Sequence, residues 1–236
     1  MKTSSKQHGF VLVTAVIFLM VLSLLGVMAV RGSLFEERAA ANDRDLSFAR
    51  ENAELALRDA ERDILGIRFD GQFCAVAGCT TLRPTGTRPA NAVDAGNFWI
   101  AANPVVDEVA LPNGGFGQAP ANQGVFSAES ATDCGKPVWS AANWNDGVVG
   151  RTCSNTITTT VPSVPYGTFT NAPFAFAGVQ PPRYVIEMLR AGDLQISGSS
   201  NKLFFRITAV GFGRTASSAT PPVQTSLTLQ SVFSPI

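Results

Sequence analysis

The hydrophobic pattern of the first 65 residues has two halves. Residues 10–30 contain no charged side chain, and as a helix this run of about 21 residues can cross a hydrocarbon core about 30 Å thick. Residues 31–65 are rich in Ala, Leu, Glu and Arg, which favour helices, and place apolar residues at helical spacing. These apolar positions are Leu46, Ala49, Ala53, Ala56 or Leu57, Ala60 and Ile64. The pattern predicts one continuous helix from Phe10 to about Leu65, with an amphipathic second half that is ended by Gly66.

The C-terminal part, about residues 182–236, alternates with a period of two. Apolar and polar side chains alternate along Leu203–Gly211 and Val223–Phe233, and Tyr184–Leu189 is a third apolar segment. Such alternation predicts antiparallel strands that cover a core. The two glycines in Gly211–Arg214 suggest a turn at the end of a strand. We therefore predict an α+β fold, in which the amphipathic half of the helix packs on an antiparallel sheet of three to four strands.

Between helix and sheet lies a long variable region, about residues 66–181, of the predicted head domain 66–236. It is rich in Gly, Pro, Asn, Ser and Thr and shows no clear period. A loop of this length without its own structure is unusual in a compact domain, so we expect short strands or helices within it. Its three tryptophans are expected to anchor it to the core: Trp99, Trp139 and Trp144. The alternative is that they are exposed and bind a partner, since aromatic residues are enriched at interfaces.

Composition and charge exclude several functions. The 236 residues have a formal net charge of zero and only 15% charged residues, so there is no basic field for nucleic acid. The one histidine, His8, lies in the N-terminal polar segment, and the glycine-rich Asn113–Gly117 lacks the Lys-Ser/Thr of a phosphate-binding loop. These observations predict a protein that is not an enzyme and that has no cofactor and no metal site.

The short N-terminal segment indicates the compartment. Residues 1–9 are polar and carry Lys2 and Lys6, which favours a cytoplasmic N-terminus with the rest of the chain outside the inner membrane. A secretory signal cut after Ala29 is one interpretation, but the apolar run exceeds the usual length of about 7–15 residues. A plain single-pass anchor is the second. The third, which we favour, is a leader cut between Gly9 and Phe10, because this junction stands where the polar segment meets the apolar helix, as in the class III signals of type IV pilins.

The helix beyond the apolar run extends this resemblance. The segment from Gly32 to Glu61 is similar to the N-terminal region of PilX-type minor pilins, and three later segments fit the same family. The matching residues are Glu36-Glu37-Arg38, Asn42, Arg44-Asp45, Phe48, Ala53-Glu54, then Pro182–Glu187, Phe205–Ala209 with Gly211–Gly213, and Leu229–Ser231. The region from about Gly66 to Gln180 resembles nothing that we can place.

The resemblance implies a minor pilin, a structural component of a type IV pilus. Its expected place is a priming or tip complex that supports pilus biogenesis, adhesion and twitching motility. A prepilin peptidase would cut after Gly9 and methylate the amine of Phe10. Other minor pilins and the major pilin would contact the N-terminal helix, and a large tip adhesin is a further expected partner. The chain would reside in the bacterial inner membrane before assembly and in the cell-surface fibre afterwards.

Two other functions remain open at this point. A pseudopilin of a type II secretion system shares the leader and the helix, although the family-like segments favour the pilus. A periplasmic binding protein or enzyme with an uncleaved membrane anchor is the alternative from a different class.

The fifth residue after the leader junction departs from the major pilins. It is Thr14, whereas major pilins carry a glutamate there, whose carboxylate meets the N-terminal amine of a neighbouring subunit. An unpaired charge in the bilayer costs at least about 2.5–3.5 kcal/mol, so this pairing is an attractive way to draw one subunit under another. Threonine carries no charge, and its hydroxyl can bond back to its own helix. Thr14 is therefore either a tolerated membrane residue or the mark of a subunit at or near the fibre tip.

Four cysteines suggest two disulfide bonds, because an even number in an exported chain is typical of disulfides. Three pairings are possible among Cys74, Cys79, Cys134 and Cys153. The local choice, Cys74 with Cys79 and Cys134 with Cys153, is favoured. A four-thiolate zinc site is the alternative, but the long gap between the last two cysteines does not match two short zinc knuckles.

Overall fold

The fold is described from a computed structural model. It describes residues 8–73, 88–89, 99, 124–127, 138–144, 161–190, 203–216 and 224–235. The predicted disulfides lie outside the described residues. The chain forms two compact units, Met1–Arg44 and Asp45–Ile236.

A single helix, α1, runs from His8 to Leu65, as the sequence predicts. It ends in a Schellman motif, in which Gly66 takes a left-handed conformation with φ of 71°. The amide of Gly66 donates to the carbonyl of Asp63 at 3.2 Å, and the amide of Ile67 donates to the carbonyl of Arg62 at 2.9 Å. The helix therefore stops at Gly66 because a residue without a Cβ satisfies its last carbonyls.

The remaining elements belong to the second unit and form a sheet with a small side pair. In chain order they are β1 (Val125–Ser127), α2 (Val138–Ala141), β2 (Ala142–Asn143), β3 (Val161–Pro162), β4 (Val164–Pro165), β5 (Arg183–Arg190), β6 (Leu203–Ala216) and β7 (Gln224–Phe233). Strands β4, β5, β6 and β7 pair antiparallel in that order, while β1 joins β5 in parallel and β2 pairs with β3. The predicted α+β fold is confirmed, and the middle region contains the short elements that its length required.

The core lies between the second half of α1 and one face of the sheet. The helix contributes small residues, such as Ala56 and Ala60, together with Ile64, and all three are fully buried. They face large side chains from the sheet, among them Phe205 and Ile207. Because alanine adds little bulk, the sheet can approach the helix closely, and each large side chain buried there contributes about 1.5–3 kcal/mol.

The interpretation of Gly211–Arg214 as a turn is wrong. These residues lie inside β6, which continues to Ala216 with an irregular register after Phe212. A Cβ on Gly211 would overlap the backbone of Ala49 and Ala53 in α1. Glycine is therefore needed here for the close approach of two backbones, and no chain reversal occurs.

The predicted anchoring in the core is confirmed for one tryptophan, whereas the other two are half-buried and pack outside the main core cluster. Trp99 is buried in the core, and its Nε1 donates to the carbonyl of Ile64 at 2.9 Å. Trp139 and Trp144 pack on Val185, on the opposite face of β5. As a result β5 is buried on both faces, whereas β7 keeps one face in solvent, as its alternation predicts.

Candidate assembly interface

The first unit presents an apolar helix on all sides. Every large apolar side chain of residues 10–30 is exposed, with exposed fractions between 49% and 77%. The helix is long and apolar enough to cross a membrane, with a mean hydropathy of 2.9 in its most apolar 18 residues, none of them buried. A helix that is apolar all round requires apolar surroundings, which are lipid or the helices of other proteins.

The leader junction lies in the first turn of this helix. Gly9 and Phe10 follow directly after His8, where α1 begins. Cleavage between them and methylation of Phe10 stay predictions at this stage.

The hydroxyl of Thr14 bonds to its own helix, as expected from the sequence. Its Oγ1 donates to the carbonyl of Phe10 at 3.1 Å or to that of Val11 at 3.0 Å. The side chain therefore carries no charge, and its donor is satisfied locally. It has no negative charge that would attract the amine of another protein into an apolar environment.

The part of the first unit after residue 30 is polar but carries one apolar pair. Leu34 is 51% exposed and Phe35 is 76% exposed, and both stand beside Glu36 and Glu37, which are also exposed. A large aromatic side chain in this position is costly to leave in water. The pair therefore marks a surface that gains free energy when another protein covers it.

In the second unit, α1 carries a row of buried polar side chains that we call the polar seam: Asp45, Asn52, Asp59 and Asp63. Sequence reasoning missed its role. The available signal was a spacing of seven residues between the first three members, filled by Asp and Asn, which are poor helix formers. A helix keeps such residues in its interior only where they find partners, and the members of the seam each hold a part of the head.

The first two members fasten the irregular end of β6. One carboxylate oxygen of Asp45 accepts the backbone amides of Arg214 at 2.7 Å and Thr215 at 3.1 Å. Asn52 donates from Nδ2 to the carbonyl of Phe212 at 2.9 Å. Burial raises the pKa of Asp45, but the hydrogen bonds, including one from Thr225, outweigh it, so the pKa lies below its ordinary value.

Asp59 fastens the loop after β4. Its carboxylate accepts the hydroxyl of Thr170 and the amide of Gly167, the latter at 2.7 Å. Burial raises the pKa of Asp59 to about 6, because these hydrogen bonds replace only part of the lost hydration. The neighbouring charge of Asp63 adds to this increase.

Asp63 joins the variable region and the sheet to the helix. It forms a fully buried ion pair with Arg88 and accepts the hydroxyl of Tyr184 at 3.0 Å. Burial and the carboxylate of Asp63 together place the pKa of Tyr184 well above its ordinary value. The tyrosine is therefore neutral and acts as a fixed donor.

A second ion pair, in which the carboxylate is buried and the guanidinium is half-buried, crosses the sheet. Glu187 and Arg206 stand opposite each other in β5 and β6, and the guanidinium donates two hydrogen bonds to the carboxylate, at 2.7 and 2.8 Å. The hydrogen bonds from Arg206 to Glu187 raise the pKa of the guanidinium above its ordinary value. A bidentate pair of this kind fixes both position and orientation, so it favours the observed register over a slipped one.

Two family models match the chain. The PilX N-terminal family matches residues 8–58, and the C-terminal family of the type IV pilus assembly protein PilX matches residues 83–235. No significant match was found among the curated proteins or among the solved structures.

Proposed function

The chain belongs to the PilX family of type IV pilus assembly proteins, and we propose that within the pilus it is a minor pilin of the priming or tip complex. The observation that carries the proposal is Thr14, whose hydroxyl is bonded within its own helix. A bulk subunit would use a charge at this position to dock beneath its predecessor. A subunit without that charge is suited to start the fibre or to stand at its end.

The helix and the head have separate tasks in this function. A prepilin peptidase removes residues 1–9 and methylates Phe10. Before assembly residues 10–30 lie in the inner membrane with the N-terminus in the cytoplasm and the head in the periplasm. In the fibre the same apolar surface packs against the helices of the major pilin and of other minor pilins. The polar seam supports this function, because its hydrogen bonds fix the head on the helix that is inserted.

The state of the native N-terminus tests the pilin assignment. Mass spectrometry of the protein from its own cells should find a mature chain that begins with N-methylated Phe10. An intact Met1, or a chain that begins after Ala29, would contradict the proposal, because either would leave a plain anchor or a secretory signal.

The role of Thr14 is tested by restoring the charge of a bulk subunit. Thr14→Glu should change the number of pili and the incorporation of the protein, because the carboxylate gives it a predecessor to dock beneath. Thr14→Val is the matched control, since it keeps the shape without the charge, and it should leave both quantities unchanged. Pilus counts by electron microscopy and immunoblots of sheared fibres measure the two effects. If Thr14→Glu is silent, the argument for the tip from this residue fails.

Deletion of the gene separates the pilus from type II secretion. Loss of pili and of twitching motility with normal protein secretion is expected. The reverse result would assign the chain to the secretion system, against the family match. Adhesion, measured on the same strain, should fall together with piliation, and a large tip adhesin should be lost from the fibre.

The disulfides belong to the same proposal, because the head functions outside the cytoplasm. We expect Cys74 paired with Cys79 and Cys134 paired with Cys153. The second bond closes the longer loop and contributes about 3 kcal/mol. Peptide mapping without reduction identifies the pairs, and a bond between Cys74 and Cys153 would overturn the local pairing.

A further inference from the structure

Two segments of the second unit, helix α1 and the loop after β4, bring four aromatic rings together at the surface. Phe48 in α1 packs edge-to-face on Phe176 with ring centroids 5.1 Å apart, and Phe176 packs in the same way on Phe174 at 5.3 Å. Tyr166 continues the series at 6.1 Å from Phe174. We call these four rings, together with Arg214, which lies over two of them, the aromatic–arginine platform.

Arg214 is held over this series by its own backbone. Its guanidinium carbon lies 4.7 Å from the ring centroid of Phe48 and 6.0 Å from that of Phe176. Its amide donates to Asp45 of the polar seam at 2.7 Å, so the main chain beneath the cation is fixed. The cation is exposed and rests on aromatic faces, where the ring quadrupole attracts it.

Packing of the rings against each other explains their contacts but not why one of them stays exposed to solvent. Phe176, which lies between Phe48 and Phe174 in the series, is 40% exposed, and Arg214 beside it is exposed as well. Aromatic and arginine side chains are the residues that most often carry the binding energy of an interface. Rings that are already locked in place lose little conformational entropy when a partner covers them.

The chemistry of the platform specifies its partner. A guanidinium on an aromatic surface favours a carboxylate that stands next to a large apolar side chain. The polar half of a pilin-type helix offers this combination, as Phe35 and Glu36 of this chain illustrate: both are exposed, and both lie beyond the uncharged run. The platform itself includes Phe48 of α1, so one of its rings lies on the helix that we assign to assembly.

We propose that the aromatic–arginine platform binds the polar half of the N-terminal helix of a neighbouring pilin-type subunit, through a carboxylate flanked by a large apolar side chain. The proposal rests on the proposed function, since the partner is another subunit of the same fibre. It gives the head an interface of its own, separate from the apolar packing of residues 10–30.

Site-specific photocrosslinking in assembled fibres tests the proposal. The full chain is made in its own cells with benzoylphenylalanine in place of Phe176, the sheared fibres are irradiated, and linked peptides are sequenced by mass spectrometry. We expect links to a helical segment of another pilin-type subunit, within one turn of a Glu or Asp. Benzoylphenylalanine in place of Val232, which is exposed on β7, is the matched control and should not give these links.

Charge reversal supplies the second arm. Arg214→Glu should lower the yield of the Phe176 links about tenfold, because a carboxylate on the platform repels the partner, while Arg214→Lys should lower it less. The backbone amide that binds Asp45 is present in both variants, and immunoblots of the fibres correct for incorporation.

Links to an extended segment, to lipid or to a protein that is not a pilin would overturn the proposal, as would an unchanged yield in Arg214→Glu. If the chain carries methylated Phe10 and is found in the fibre but the expected links are missing, this inference fails alone. If the chain is missing from the fibre, the proposed function fails with it.

Discussion

At Asp59, a carboxylate lies buried where the helix meets the loop after β4. Its two hydrogen bonds, from Thr170 and Gly167, hold the loop in position, but they do not make up for the loss of water. The pKa of Asp59 therefore rises from 3.8 to about 6. A residue that shapes the head thus carries a free-energy cost that depends on pH.

The sign of this dependence follows from proton binding. Between about pH 4 and pH 6 the folded chain holds the proton of Asp59 more tightly than the unfolded chain does. Its contribution to stability is therefore fully present below pH 3.8 and is lost as the pH rises through about 6, on the order of 3 kcal/mol in total. Asp45, with its lowered pKa, acts in the opposite direction and loses its contribution as the pH falls below 3.8.

We predict that Asp59→Asn flattens the pH dependence of unfolding between about pH 4 and pH 6, because the amide keeps the shape of the side chain and does not titrate. Relative to the variant, the natural protein should lose stability as the pH rises through this range. Thermal unfolding of the full chain in detergent, followed by circular dichroism at a series of pH values, measures the difference. If the unfolding temperature changes with pH in the same way in the natural protein and in Asp59→Asn, Asp59 does not titrate between about pH 4 and pH 6.

The contact between α1 and β6 depends on small residues in both elements. Alanines on the helix and Gly211 on the strand allow the two backbones to approach more closely than side chains would permit. The ion pair between the buried Glu187 and the half-buried Arg206 then fixes the register of β5 against β6 on the same sheet. Close approach and register together place the irregular end of β6 against the polar seam.

We predict that Gly211→Ala destabilises the protein by about 3 kcal/mol, because its Cβ would overlap the backbone of Ala49 and Ala53 and neither element can move alone. Val232→Ala, on the exposed face of β7, is the control and should change stability by less than about 0.5 kcal/mol. Urea unfolding of both variants provides the comparison. Equal stability of Gly211→Ala and the natural protein would contradict this prediction, because it would mean that α1 can move away from β6 at little cost in free energy.

The helix and strands were predictable because their signals are local, whereas the role of Gly211 was not. A glycine at the end of an alternating segment indicates a turn as well as a close approach, and only the position of another element decides between them. The same holds for Asp59, which reads on the sequence as an ordinary polar helix residue.

Over the whole molecule, the two units have opposite preferences for solvent. The apolar side chains of residues 10–30 are all exposed, whereas the core cluster and every member of the polar seam lie within Asp45–Ile236. The second unit thus has its own hydrophobic core and its own buried hydrogen bonds, as a domain that folds by itself does. The first unit requires lipid or other helices around it.

We predict that a fragment of residues 45–236, secreted into an oxidising compartment, is soluble without detergent and folds. Its near-ultraviolet circular dichroism should match that of the full chain, and it should unfold in one transition within a few degrees of it. The full chain, in contrast, should aggregate when detergent is removed, because of its apolar helix. A fragment without a cooperative transition would show that the first unit is required for the fold of the second.

The sequence by itself determined the long helix, its end at Gly66, the alternating strands and the bond of Thr14 to its own helix. All of these depend on residues within a few positions of each other. Tertiary structure alone decided which polar residues are buried, why β6 contains glycine and how the aromatic–arginine platform forms. The partners there are far apart in the chain: 111 residues separate Asp59 from Thr170, and 121 separate Asp63 from Tyr184. A local pattern shows that such residues exist, but their burial and pairing follow only when the sheet has packed on the helix.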